Sequence, residues 1–221
     1  MKRKIFDYSF LAFGLLLQIV TFVITNHLSA PDAQLSTLSL ISGLLGVCSV
    51  CLTAQGNIWT YLFGFAQVGT YMALIISNKF LGQLALNVFY LITMSYGVFV
   101  WRKRLHDDAR TVTPRRLSLR AFIPILAGML LFSAYAGYEL QAYTSHPQPY
   151  LDAFTSVPAL VAQVLMILAY REHWFIWLAV DILNIVLWLR AGDYCMAAQY
   201  VFWCANCLYG LRRWKTLTTN D

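Results

Sequence analysis

Charge is what this sequence has least of. Only 12% of its 221 residues are charged, against 59% hydrophobic, and a soluble domain needs far more to cover its surface. Acidic residues are the rarer sign, 10 against 16 basic. That surplus does not point to nucleic acid, because no soluble module presents a basic patch. Catalytic signatures are missing: H-E-x-x-H, G-x-S-x-G and a phosphate-cradling glycine loop are all absent, which argues against an enzyme. The one adjacent carboxylate pair, Asp107-Asp108, lies in a basic stretch and trims its charge. Long polar segments are absent too. The longest, 102–120, leaves little surface for a docking partner. Cysteines are few, and four of the five sit in apolar runs as Cys48-x-x-Cys51 and Cys204-x-x-Cys207. Zinc wants four ligands converging on one point, so these read as small, soft packing residues. No cysteine falls in an outer loop, and no disulfide, metal or cofactor is expected.

What the chain does have is eight long apolar stretches, at about residues 8–26, 39–54, 57–77, 80–101, 121–141, 151–170, 173–190 and 193–214. A spanning helix needs about 20 such residues, and backbone groups in lipid must be satisfied within their own segment. The fold class is therefore all-α and integral to a membrane, with eight transmembrane helices. With the N-terminus in the cytoplasm, every Lys and Arg except Lys79 and Arg190 lies on the cytoplasmic side, as the positive-inside rule requires. Both termini are then cytoplasmic, and the basic residues there meet anionic lipid. The first stretch follows Met-Lys-Arg-Lys but lacks a small-x-small cleavage site, so a retained helix is expected rather than a signal peptide. Tyr8, Trp101, Tyr143, Tyr170, Trp174 and Trp214 stand near helix ends, where an interfacial belt is expected.

The chain also repeats itself. Asn57-Ile58-Trp59 lines up with Glu172-His173-Trp174; with one gap, Tyr96-Gly97 meets Tyr209-Gly210 and Trp101 meets Trp214. Helices two to four thus resemble helices six to eight, and helix five separates them. A triple reverses the chain's side of the membrane and one more crossing restores it, so the two triples are parallel repeats, an arrangement similar to the SWEET transporters. The expected divisions are 1–34 (an extra helix and outer loop), 35–104 (first bundle), 105–145 (basic loop and linker helix) and 146–221 (second bundle). In such folds the substrate site lies between the repeats near the bilayer midplane. Pro158 in helix six falls opposite Gly43, and Pro124 interrupts helix five; these are either pivots or static kinks.

Helix seven carries the strongest local signal. Trp174, Trp177, Asp181, Asn184 and Trp188 are spaced 3, 4, 3 and 4, which puts them on one face. An unpaired carboxylate in mid-membrane costs about 2.5–3.5 kcal/mol even on the lenient scale, so this face should turn to a cavity or a partner. Helix eight continues with Gln199, Trp203, Asn206 and Gly210, helix four with Gln83, Asn87, Tyr90 and Gly97, and helix three with Gln67 and Tyr71. Such polar residues can simply join helices. Read as a site, they enclose an aromatic cavity rich in amides. Indoles stack on flat rings and attract cations, and amides pair with amides and hydroxyls. No Lys or Arg lies in mid-span, so phosphate lacks its usual partner. The fitting ligand is nucleoside-like, flat and free of phosphate.

These residues resemble the PnuC family of bacterial nicotinamide riboside transporters. The resemblance rests on Trp174-Phe175-Ile176-Trp177, a W-x-x-W, with Asn87-Val88-Phe89-Tyr90 and Asn206-Cys207-Leu208-Tyr209 as N-x-x-Y elements, and covers about residues 35–215. It implies a SWEET-like fold and facilitated uptake of nicotinamide riboside across the inner membrane, with a cytoplasmic riboside kinase trapping the vitamin. It also implies a homotrimer. In that reading Trp177 and Trp203 stack on the ring. Asn87, Asn184 and Asn206 pair with carboxamide or ribose, Gln67 supports them, and Asp181 binds hydroxyls or offsets the ring's charge. The alternative is proton-coupled transport of a related nucleoside or vitamin, with Asp181 carrying the proton.

Overall fold

In the computed structural model, residues 2–29, 33–77, 81–106, 110–144, 148–191 and 194–218 are described. They form eight α-helices: α1 (Lys2–Ser29), α2 (Ala33–Ala54), α3 (Thr60–Ser77), α4 (Leu81–Arg102), α5 (Leu119–Tyr143), α6 (Pro149–Ile167), α7 (His173–Ala191) and α8 (Tyr194–Thr218). Each falls on one of the eight apolar stretches. Among the described residues, α1, α2, α5, α6 and α7 are long and apolar enough to cross a bilayer by themselves. Lys79 and the Asp107-Asp108 pair lie outside the described residues, as does the side chain of Gln83.

The chain divides into two compact units, Met1–Val112 and Thr113–Asp221. In the first, α2 packs on α1 and α3, and α3 packs on α4. The Gln18 amide of α1 lies so close to Gly43 of α2 that a side chain at 43 would have to displace it. In the second unit α5 packs on α6, α6 on α7, and α7 on α8. Its core joins Met129, Val157, Ala162, Leu165, Ile176 and Val180. Helix α5 starts at Ser118, whose hydroxyl accepts from the Ala121 N–H at 3.3 Å, a standard N-cap. Both α5 and α6 continue through their internal prolines, Pro124 and Pro158.

The two units contain the same turn. After α2, the Gly56 N–H donates to Thr53 O and the Asn57 N–H to Leu52 O, each at 2.9 Å; after α6, Ala169 donates to Met166 O and Tyr170 to Leu165 O, again at 2.9 Å. This is a left-handed helix C-cap, with φ 70° at Gly56 and 60° at Ala169. The match continues with Thr60 donating to Asn57 O as His173 does to Tyr170 O. Tyr61 meets Trp101 edge-on at 5.1 Å, as Trp174 meets Trp214 at 6.0 Å. One constant offset relates all of these pairs, and no gap is needed. Asn57 corresponds to Tyr170 rather than to Glu172, and Pro158 stands opposite Leu45 rather than Gly43. Aligning one tryptophan with another misled the sequence register, because the counterpart of Trp174 is a tyrosine.

The basic stretch after α4 is pinned to these turns. In unit 1, Ile58 N–H donates to Arg110 O at 2.9 Å and Val112 N–H to Gly56 O at 2.8 Å. In unit 2, Arg115 N–H donates to Ala169 O at 2.6 Å and Arg171 N–H to Arg115 O at 3.0 Å. The Arg115 guanidinium lies 4.8 Å above the Tyr170 ring. The Glu172 carboxylate accepts from the Leu117 N–H at 2.9 Å and from Arg171 Nε at 3.1 Å. Buried turn amides and carbonyls need partners, and this loop supplies them.

Three of the six aromatics expected at the membrane interface are instead packed away. Trp101, Trp174 and Trp214 are 0%, 2% and 0% exposed, whereas Tyr8 and Tyr143 are exposed. Proximity to a helix end does not separate an interfacial indole from one wedged between helices.

Candidate functional site

Helix α7 has two unlike faces. Phe175, Ile182, Val186 and Leu189 are exposed, and apolar side chains there suit lipid. The stripe of Trp174, Trp177, Asp181, Asn184 and Trp188 is buried or half-buried. It faces inward, where polar groups in a membrane belong.

Its members differ in what they touch. Trp174 is packed at the start of α7, with the His173 ring 4.5 Å away and Trp214 edge-on at 6.0 Å. Gly210 of α8 makes room for it, since a Cβ there would sit 2.5 Å from Trp174 Cζ2. Gly210→Ala is therefore expected to destabilise the protein by about 1–3 kcal/mol, read as a lower thermal unfolding midpoint in detergent. An unchanged midpoint would mean the indole has room to shift. Trp177 is half-buried against the unit 2 core. Asp181 is buried, and its Oδ2 accepts from the Cys207 thiol of α8 at 3.3 Å. The Asn184 amide donates to Val180 O at 2.9 Å, one turn back on its own helix. The Trp188 indole N–H is buried without a hydrogen-bond partner among the described residues.

On α8, Asn206 is fully buried. Gln199 and Trp203 are half-buried, and the Trp203 ring lies 5.3 Å from that of Phe202. In unit 1, Asn87 of α4 is buried and Tyr90 half-buried, its ring 6.1 Å from Phe89. Gln67 of α3 is half-buried, and its backbone carbonyl accepts from Ser42 of α2 at 3.4 Å. The structure thus joins α7 to α8 through Trp174 with Gly210 and Trp214, and through Asp181 with Cys207. Unit 1 presents Gln67, Asn87 and Tyr90 from α3 and α4.

Residues 36–216 match the family described as nicotinamide mononucleotide transporter. This chain belongs to that family. The nicotinamide mononucleotide transporter family is one of membrane transporters, not of enzymes, and its apolar helices make the chain a multi-pass membrane protein. The family match begins in α2, leaving α1 outside it. The chain is 32% identical to the nicotinamide riboside transporter PnuC of Haemophilus influenzae, over 97% of this chain and 91% of that one. It is also 32% identical to the PnuC of Neisseria mucosa, over 96% and 81%. A riboflavin/roseoflavin transporter, RibM, of Streptomyces davaonensis is 23% identical over 86% of this chain and 90% of its own. Among solved structures, the crystal structure of the vitamin B3 transporter PnuC matches with a TM-score of 0.76 and 31% identity, over 97% of this chain and 92% of that one. The PnuC resemblance drawn from the W-x-x-W and N-x-x-Y elements is borne out.

Sequence reading passed over two groups. Cys207, expected as a packing residue, has its thiol as the donor to the one buried carboxylate of α7. Its position beside Asn206, within the polar stripe of α8, was the available signal. Glu172, which holds the basic loop after α4, carried no periodic signal at all.

Proposed function

We propose that this protein carries nicotinamide riboside across the inner membrane as a uniporter, with eight spans, a SWEET-like pair of parallel three-helix repeats and both termini in the cytoplasm. The observation that carries the proposal is the inward face of α7, where indoles, a carboxylate and an amide line one side of a helix whose other side is apolar. The matched turns of the two units support the repeat. The names of the PnuC relatives support the substrate.

The ligand's chemistry suits these residues. Its pyridinium ring is flat and cationic and stacks on the half-buried Trp177 and Trp203. Asn184 and Asn206 pair with carboxamide or ribose hydroxyls, Gln199 and Trp188 add donors, and Asp181 offsets the ring's charge. Trp174 acts one step back, fixing the start of α7 against α8. In unit 1 the corresponding candidates are Gln67, Asn87 and Tyr90. The family's description names the mononucleotide, but phosphate recognition calls for Arg or Lys. The basic residues of α7 and α8 stand in the last turns, at Arg190 and Lys215, or one turn earlier, at Arg212 and Arg213. The riboside is the better match. A cytoplasmic riboside kinase would keep the gradient inward, and a homotrimer is the expected assembly.

Counterflow in proteoliposomes tests this. Labelled nicotinamide riboside should exchange against internal unlabelled riboside without a proton gradient, and excess mononucleotide should not compete. Absence of counterflow would sink the proposal. Accumulation against a gradient, lost in Asp181→Asn, would favour proton coupling through Asp181 instead.

A further inference from the structure

Asp181 has one hydrogen-bond donor among the described residues, and that donor is a thiol. Cys207 Sγ lies 3.3 Å from Asp181 Oδ2 across the α7–α8 contact. Both residues are buried, at 4% and 6% exposure. The nearest amide along α7, that of Asn184, donates to the Val180 carbonyl instead.

A thiol is a weak donor. Carboxylates that are fully satisfied in proteins take short, charge-assisted bonds from N–H or O–H groups. In its ionised form the carboxylate gains an anchor for its rotamer but little neutralisation of its charge. In a low-dielectric site that charge acts strongly on whatever binds beside it. Discrimination between a charged ring and a neutral ring of the same shape then depends on keeping the carboxylate both fixed and uncompensated.

We infer that Cys207 is a positioning residue for charge selection: it fixes the Asp181 carboxylate at the ligand without quenching it, so that a cationic nucleoside is preferred over its uncharged counterpart. This rests on the riboside reading above. The natural pair of probes is nicotinamide riboside and its reduced dihydro form, which has nearly the same outline and no ring charge.

The experiment measures each compound's competition with labelled nicotinamide riboside in counterflow and takes the ratio of the two apparent affinities. Cys207→Ala should lower the wild-type preference for the cation by about fivefold, the worth of about 1 kcal/mol. Cys207→Ser keeps the anchor at the same place but with a stronger O–H donor, so it should partly quench the charge and lower the preference by about twofold, less than alanine does. An alanine ratio equal to wild type, with Asp181→Asn lowering it, would overturn the role of Cys207 and leave the riboside reading standing. A ratio unmoved by Asp181→Asn as well would remove Asp181 from the site and overturn the inference, while the riboside counterflow on which the assay runs would leave the riboside reading standing. Infrared spectroscopy gives a readout independent of the alanine variant's folding. The Cys207 S–H stretch should rise in frequency when Asp181→Asn replaces the carboxylate, and an unmoved band would also overturn the inference.

Discussion

Trp177→Ala is expected to weaken nicotinamide riboside binding by about 10- to 100-fold, because stacking a ring on an aromatic face is worth about 1–3 kcal/mol and a cationic ring adds attraction to the indole. Titration calorimetry on the purified protein measures it. Trp177 also leans on the core of α5, α6 and α7, so the alanine variant opens space there. Trp177→Phe separates the two effects. It keeps a flat face and should lose less than about tenfold. Should phenylalanine bind as poorly as alanine, with an equal fall in melting temperature, Trp177 is a packing residue. Wild-type affinity in both Trp177→Ala and Asn184→Ala would remove the proposed pocket.

Glu172→Ala is expected to cost about 3 kcal/mol or more. Its buried carboxylate accepts from Leu117 N–H and Arg171 Nε, and hydrogen bonds to charged groups contribute about 1.5–3 kcal/mol each. The loss should appear as a lower unfolding midpoint and as faster tryptic cleavage at Arg115 and Arg116, which the loop otherwise holds against the α6–α7 turn. Glu172→Gln keeps an acceptor for the Leu117 amide and should lose roughly half as much. Equal tryptic rates in wild type and Glu172→Ala would show that the backbone bonds of Arg115 hold the loop unaided.

The helices were legible because lipid leaves few options: runs of apolar residues this long have one stable backbone form. Their ends were less so. Helix α1 begins at Lys2 rather than near Tyr8, since a helix continues through basic residues that hydropathy counts as loop. The inward face of α7 was legible too, because spacings of three and four can only align on one side of a helix. What escaped were contacts set by how one helix is rotated against the next. The 3.3 Å approach of Cys207 to Asp181 is of that kind, and so is the wedging of Trp174 against Gly210 and Trp214. The ties from Arg110 and Arg115 to distant turns leave no periodic trace.

The berth of α1 has a consequence for lineage. The family match begins at residue 36 and leaves α1 outside it, yet the Gln18 amide occupies the space a side chain at Gly43 would need. A chain of this kind without α1 has no cause to keep glycine there, and a bulkier residue would cover that flank of α2 better. Glycine at this position should therefore be kept together with α1, and losing either one should relax selection on the other.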